Sequence, residues 1–235
     1  RQVSMAEREI APADSVLTLW ATYADDVRLM LYDAGVGGHA YETVAMSPAE
    51  DGTWTTKVEQ DLKGKFYTFN VKINGKWLGD TPGINAQAVG VNGKRAAVID
   101  MRVTDTEGCA DDKRPPLATT AHVIIYEIHH RDFSIDPSSG IRNKGKFLAM
   151  TETGTANPDK LATGIDHLKE LGVTHVHILP SYDYASVDES RLDENKYNWG
   201  YDPQNYNVPD GSYATDPYKP DVRIREFKQM VQALH

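Results

Sequence analysis

The segment KYNWGYDPQNYNVPDGSYATDP, residues 196–217, gathers the residue types best suited to holding a polar ligand. Tyr197, Trp199, Tyr201, Tyr206 and Tyr213, with Tyr218 just beyond, supply flat rings, and Asn198, Asp202, Asn205 and Asp210 supply amides and carboxylates. Rings of this kind stack on the C–H faces of sugars, while the polar groups hydrogen-bond hydroxyls. The mixture, with its Gly and Pro, makes a poor helix and a poor strand. The competing reading is that these aromatics pack a long loop onto its own domain. For Trp199, Tyr206, Tyr213 and Tyr218 packing is the stronger expectation. For Tyr201 and Asp202 the residue types leave both readings open.

Other reactive side chains point less clearly. His175 and His177 stand two apart and share a face if the segment is a strand, but no third metal ligand is spaced with them. They read as buried strand residues, and His129 and His130 as packing or loop anchors. Asp132 and Asp183 read as capping and loop hydrogen-bonding residues. Trp54 and Trp77 could stack on a sugar; Trp54 fits a core position at least as well, and Trp77, just past the Asn74-Gly75 turn, is expected to be exposed and is a weak binding candidate. No glycine-rich nucleotide loop and no G-x-S-x-G nucleophile motif occurs.

The chain carries 34 acids against 25 bases, net −9, which argues against nucleic acid or an anionic membrane as the main partner. An uncharged ligand suits that balance. The single Cys109 excludes an intrachain disulfide. No stretch approaches the ~20 apolar residues of a membrane span. The first residues hold no apolar signal core, which fits a cytoplasmic protein or one secreted after signal removal.

The elements change character midway. Residues 16–21, 27–33, 53–59, 67–73 and 96–101 are short runs rich in β-branched and aromatic residues, separated by turn signals, Asn74-Gly75 the clearest. They predict a β-sandwich. A polar linker follows at 104–116. Beyond it, residues 122–129 and 173–180 read as strands buried on both faces, around a helix over 158–171 with Asn157 as N-cap, Pro158 first and Gly172 after its end. Leu161, Ile165, Leu168 and Leu171 form its apolar stripe. A β-α-β unit makes the strands parallel, and the long connection 181–219 then leaves the end where such sheets bind ligands. A last helix begins near Asp221, with Ile224, Phe227, Val231 and Leu234 on one face. The division expected is 1–112 and 113–235, with the second domain incomplete.

The opening segment resembles the YNWGYDP signature of type I pullulanases, debranching enzymes of glycoside hydrolase family 13. VIIYEIHHRDFSIDPSSGI (123–141) and LKELGVTHVHILPSYDYASVDE (168–189) are similar to the first two barrel strands of those enzymes with their loops. LTLWATYADDVRLMLYD and the segment 51–100 resemble their family 48 carbohydrate-binding module. The resemblance implies an immunoglobulin-like β-sandwich followed by the first units of a (β/α)8 TIM barrel completed by sequence not in this chain. It implies cleavage of α-1,6-glucosidic bonds in starch or glycogen with retention, Tyr201 stacking on the sugar before the cleaved bond. Asp202 would fix the same subsite, and Tyr197, Asn198 and Trp199 would support it. Retention needs two carboxyls ~5–5.5 Å apart, and the family's three catalytic acids fall beyond His235. No catalytic residue is therefore expected in this chain, and no metal ligand. A structural calcium, common in the wider family, has no visible ligand set. The partners expected are an α-glucan and a C-terminal remainder of the enzyme as a second chain; a glucan-binding fragment without catalysis is the alternative, and amylase, isoamylase or branching specificity the alternative within the class.

Overall fold

The computed structural model describes residues 8–10 and 14–235. The chain forms two compact units, Arg1–Asp100 with Gln204–Val208, and Met101–Pro203 with Pro209–His235. The first unit is thus assembled from two stretches far apart in sequence.

The first unit is mostly β-sheet. Strands β1 (Arg8–Ile10), β2 (Ser15–Trp20), β5 (Ser47–Pro48) and β6 (Thr53–Val58) make one sheet in the order β1-β2-β6-β5, all pairs antiparallel. Strands β3 (Asp26–Tyr32), β4 (Glu42–Ala45), β7 (Phe66–Ile73) and β8 (Lys76–Thr81) make the other in the order β4-β3-β7-β8, with β9 (Ala96–Ala97) on β7. Period-two alternation decides which side chains meet. Leu17 and Leu19 of β2, Val27, Leu29 and Leu31 of β3, Trp54 and Val58 of β6, and Tyr67 and Phe69 of β7 are all buried in one shared core. Asn74 and Gly75 both have positive φ, 51° and 74°, and close the β7–β8 hairpin as their dipeptide predicts.

The segment β13 (Pro203–Pro209) runs out of the aromatic stretch, and its Gln204–Val208 portion belongs to this first unit. Val208 is buried in the core there. The buried Asn205 amide donates to the Gly93 carbonyl at 2.9 Å, and Asn207 donates to the Ile84 carbonyl at 3.1 Å.

In the second unit β10 (Ile125–Ile128) and β11 (His175–Ile178) pair in parallel, Ile125 against His175 and Ile128 against Ile178. The helix α1 (Gly164–Leu171) lies between them in sequence, and a short strand β12 (Tyr182–Tyr184) and the helix α2 (Pro220–Leu234) follow. Phe147, Met150, Tyr184, Tyr213 and Met230 pack with Ile128 into a second core, joined at its edge by Phe227, Val231 and Leu234.

Three expectations need correction. The strands are not buried on both faces: Ile125 is 62% exposed, and His175 and His177 are exposed too. Among the described residues this sheet has two strands, β10 and β11. His177 Nδ1 instead sits 3.1 Å from its ladder partner Glu127. The helix starts at Gly164 after Thr163, six residues later than Asn157-Pro158 suggested. Asn157 accepts from the Leu161 amide with its side chain, Lys160 takes a left-handed φ of 63°, and Leu161 is exposed rather than on the stripe. Gly172 ends the helix in the left-handed region, φ 70°, as expected.

Candidate functional site

The YNWGYDP stretch is held by its own polar groups and shows its rings to solvent. Tyr197, Trp199 and Tyr201 are 48%, 60% and 64% exposed. Asn198 organises the turn: its Oδ1 accepts from the Gly200 amide at 2.8 Å, and its Nδ2 donates to Asp202 Oδ1 at 2.8 Å. Gly200 has φ 90°, and a Cβ there would stand 2.9 Å from the Pro180 carbonyl, so only glycine fits this bend. The second oxygen of Asp202 accepts from Ser186 Oγ, and the Asp202 carbonyl accepts from the Ala185 amide at 3.0 Å. Partial burial pushes the Asp202 carboxyl up, but the bonds from Ser186 and Asn198 outweigh it and hold the group below the usual carboxylate range. Asp202 is thus a fixed, ionised acceptor beside exposed rings, an arrangement suited to binding hydroxyls rather than to donating a proton.

The other sequence candidates divide cleanly. Tyr213 is buried in the second core, as the packing reading has it, whereas Trp199, Tyr206 and Tyr218 are exposed against that reading. Trp54 is a core residue whose indole N–H donates to the Ala21 carbonyl at 3.2 Å. Trp77 is half-buried rather than exposed, with the Arg28 guanidinium 4.1 Å from its ring centroid. That cation occupies ring surface that a sugar would need. Asp132 pairs with Arg131 at 2.6 Å, a loop role as expected.

Sequence reasoning missed a buried ionic centre. Arg223, on α2, is fully buried, its Nη1 3.3 Å from Asp183 Oδ1 and its Nη2 2.9 Å from Glu189 Oε2. It also donates to the carbonyls of Pro209 and Pro217. Asp210 is buried nearby and accepts from the amides of Ser212 and Tyr184 at 2.8 and 3.1 Å. Burial, then the charge of Glu189, pushes the Asp210 carboxyl up to about 7. Asp183, Glu189 and Asp210 bring oxygens within 4.8 Å of one another, the geometry of a metal cage, but Arg223 supplies positive charge to two of them. Asp183 is therefore an ion-pair partner, not the capping residue its loop position suggested. Arg223 could have been noticed: it lies four residues before Phe227 and seven before Met230, on the apolar stripe of its helix.

His130 is buried beside this centre. Its Nε2 lies 2.8 Å from Ser181 Oγ, and its ring packs against Phe147 and Tyr213, with centroids 5.0 and 4.7 Å away. Burial, and secondarily His129, pulls the imidazole down to about 3, below the ~6.5 of an unfolded chain. Below pH ~6.5 the unfolded state binds this proton first, so the stability owed to a neutral His130 is lost as pH falls toward 3. Asp210 works in the other direction: its folded value lies above ~3.9, so its contribution is full at low pH and is lost as pH rises toward 7. Urea midpoints followed from pH 4 to 6.5 separate the two. His130→Gln should leave stability rising on acidification, and Asp210→Asn should leave it falling; equal slopes in both variants would contradict this assignment.

Comparison with known proteins shows similarity at two levels. Residues 6–106 match Carbohydrate-binding module 48 (Isoamylase N-terminal domain). Over nearly its whole length the chain is similar to pullulanases: it is 40% identical to the pullulanase of Bacillus subtilis over 222 residues, 94% of this chain and 30% of that protein. A mutant pullulanase from Paenibacillus barengoltzii, solved with maltotriose, superposes with a TM-score of 0.96 at 48% identity, covering 100% of this chain and 37% of that one. The pullulanase from Bacillus acidopullulyticus gives 0.93 at 40% identity, covering 28% of its chain. The resemblance read from YNWGYDP is borne out, and the chain spans roughly a third of the length of the proteins it matches.

Proposed function

We propose that this chain is part of a pullulanase-type glycoside hydrolase that cleaves α-1,6-glucosidic branches in starch or glycogen dextrins with retention. The observation that carries the reading is the fixed loop in which Tyr201 stands exposed beside an ionised, doubly hydrogen-bonded Asp202. Tyr201 stacks on the sugar, Asp202 binds its hydroxyls, and Tyr197, Asn198 and Trp199 shape the same subsite. The maltotriose bound to the similar Paenibacillus barengoltzii pullulanase supports an α-glucan as ligand. Trp77 is a minor candidate, weakened by Arg28.

In this reading the two β-sheets of the first unit are an immunoglobulin-like sandwich. The parallel β10-α1-β11 unit opens a (β/α)8 barrel that sequence outside this chain completes, with residues 1–112 and 113–235 as the two domains. The catalytic carboxylates also lie outside it. Of the acids around the loop, Asp183 and Glu189 are paired with Arg223, Asp132 with Arg131, and Asp210 is buried.

The test is hydrolysis. The chain alone should release no reducing ends from pullulan. Adding the C-terminal remainder of the enzyme as a second chain should restore cleavage of pullulan over linear amylose. Preference for amylose would move the reading to an amylase. Maltotriose binding with no activity after reconstitution would leave a non-catalytic glucan-binding protein.

A further inference from the structure

His129, at the end of β10, makes contacts that neither its packing nor the subsite account uses. It is buried, and its Nε2 lies 2.7 Å from the backbone carbonyl of Asn198, inside the YNWGYDP loop. A carbonyl only accepts, so Nε2 carries the proton. Nδ1 faces the backbone N–H of Asp132 at 3.4 Å, a donor, so Nδ1 is the accepting nitrogen. The Tyr213 hydroxyl lies 3.2 Å from Nε2, and the ring packs against Tyr197 with centroids 4.8 Å apart. One imidazole therefore touches two consecutive residues of the loop, the ring of Tyr197 and the main chain of Asn198. From Asn198 the side-chain amide continues to Asp202 and holds the Gly200 turn that presents Tyr201.

We propose that His129 is a positioning residue for the sugar-facing loop: its Nε2–H fixes the Asn198 backbone, and through Asn198 the Asp202 carboxylate and the Tyr201 ring. The proposal rests on the sugar reading of Tyr201 and Asp202. An apolar residue of similar size would fill the space but leave the Asn198 carbonyl without its donor, whereas Gln can return an N–H to about the same place.

Amide exchange on the full chain tests this. The Gly200 amide bonds to Asn198 Oδ1 and the Ala185 amide to the Asp202 carbonyl, so both report the loop's position. His129→Leu should speed exchange at both by about tenfold, as loss of one buried hydrogen bond predicts, while amides of β3 and β7 stay as they were. His129→Gln should bring both back to within about threefold of the parent, a rescue that a purely space-filling role would not give. Nitrogen-15 spectra of the parent should show the proton on Nε2. Unchanged exchange in His129→Leu, equal exchange in the Leu and Gln variants, or a proton on Nδ1 would each overturn the proposal. Maltotriose titration of the same samples keeps the two readings apart. A parent chain that binds no maltotriose defeats the sugar reading, while the exchange result still decides whether His129 positions the loop.

Discussion

Tyr201→Ala should weaken maltotriose binding roughly five- to thirtyfold, from about 1–2 kcal/mol of ring surface that a sugar face would cover. The unfolding midpoint should stay close to that of the parent, because the ring is 64% exposed and supports no core. Tyr201→Phe keeps the stacking surface and should retain most of the affinity. Calorimetric titration with the three proteins is the measurement. An affinity indifferent to Ala would remove Tyr201 from the subsite and leave Asp202 without its partner ring.

The second large effect concerns stability. Arg223→Met should cost the second unit about 3–5 kcal/mol, since it strips the cation from carboxylates that stay buried. Against a total stability of about 5–15 kcal/mol this lowers the melting temperature by on the order of 10 °C or prevents cooperative folding. The double change Arg223→Met with Glu189→Gln should recover part of the loss, because it removes one of the stranded charges. Arg223→Lys should fall between, since an ammonium cannot reproduce the fork to Asp183, Glu189 and two carbonyls. Gly211 sharpens the constraint: a Cβ there would lie 2.5 Å from both Arg223 Nη2 and Glu189 Oε1. A melting point for Arg223→Met within a degree or two of the parent would show that the centre is not held by charge.

Local chemistry was legible where it was sufficient. The Asn74-Gly75 hairpin and the strands within 16–21 and 27–33 need only near neighbours, and both stand as read. The start of α1 misled because Asn157-Pro158 has the composition of a helix cap, yet the same Asn oxygen closes a turn onto Leu161 as readily. The exposure of His175 and His177 depends on how many strands flank them, which no residue in the strand encodes. Composition showed that residues 197–202 were a ligand candidate. What holds them in place was not visible there, since His129 reaches Asn198 across 69 positions and Arg223 reaches Asp183 across 40. Contacts of that separation leave no periodic trace in a sequence.

The membership of Gln204–Val208 in the first unit has a consequence for anyone wishing to exchange parts. A cut after Asp100 promises to release the β-sheet unit whole, like a cartridge. It would also leave Val208 without the apolar wall it rests on and Asn205 without the Gly93 carbonyl, a few residues past the end of the aromatic loop at Asp202 and Pro203. The restriction lies in the chain order: Gln204–Val208 of the sheet unit follow the aromatic stretch in sequence. A graft that brings in a foreign module must bring its own version of that ribbon, or the new sheet unit lacks a piece of its core.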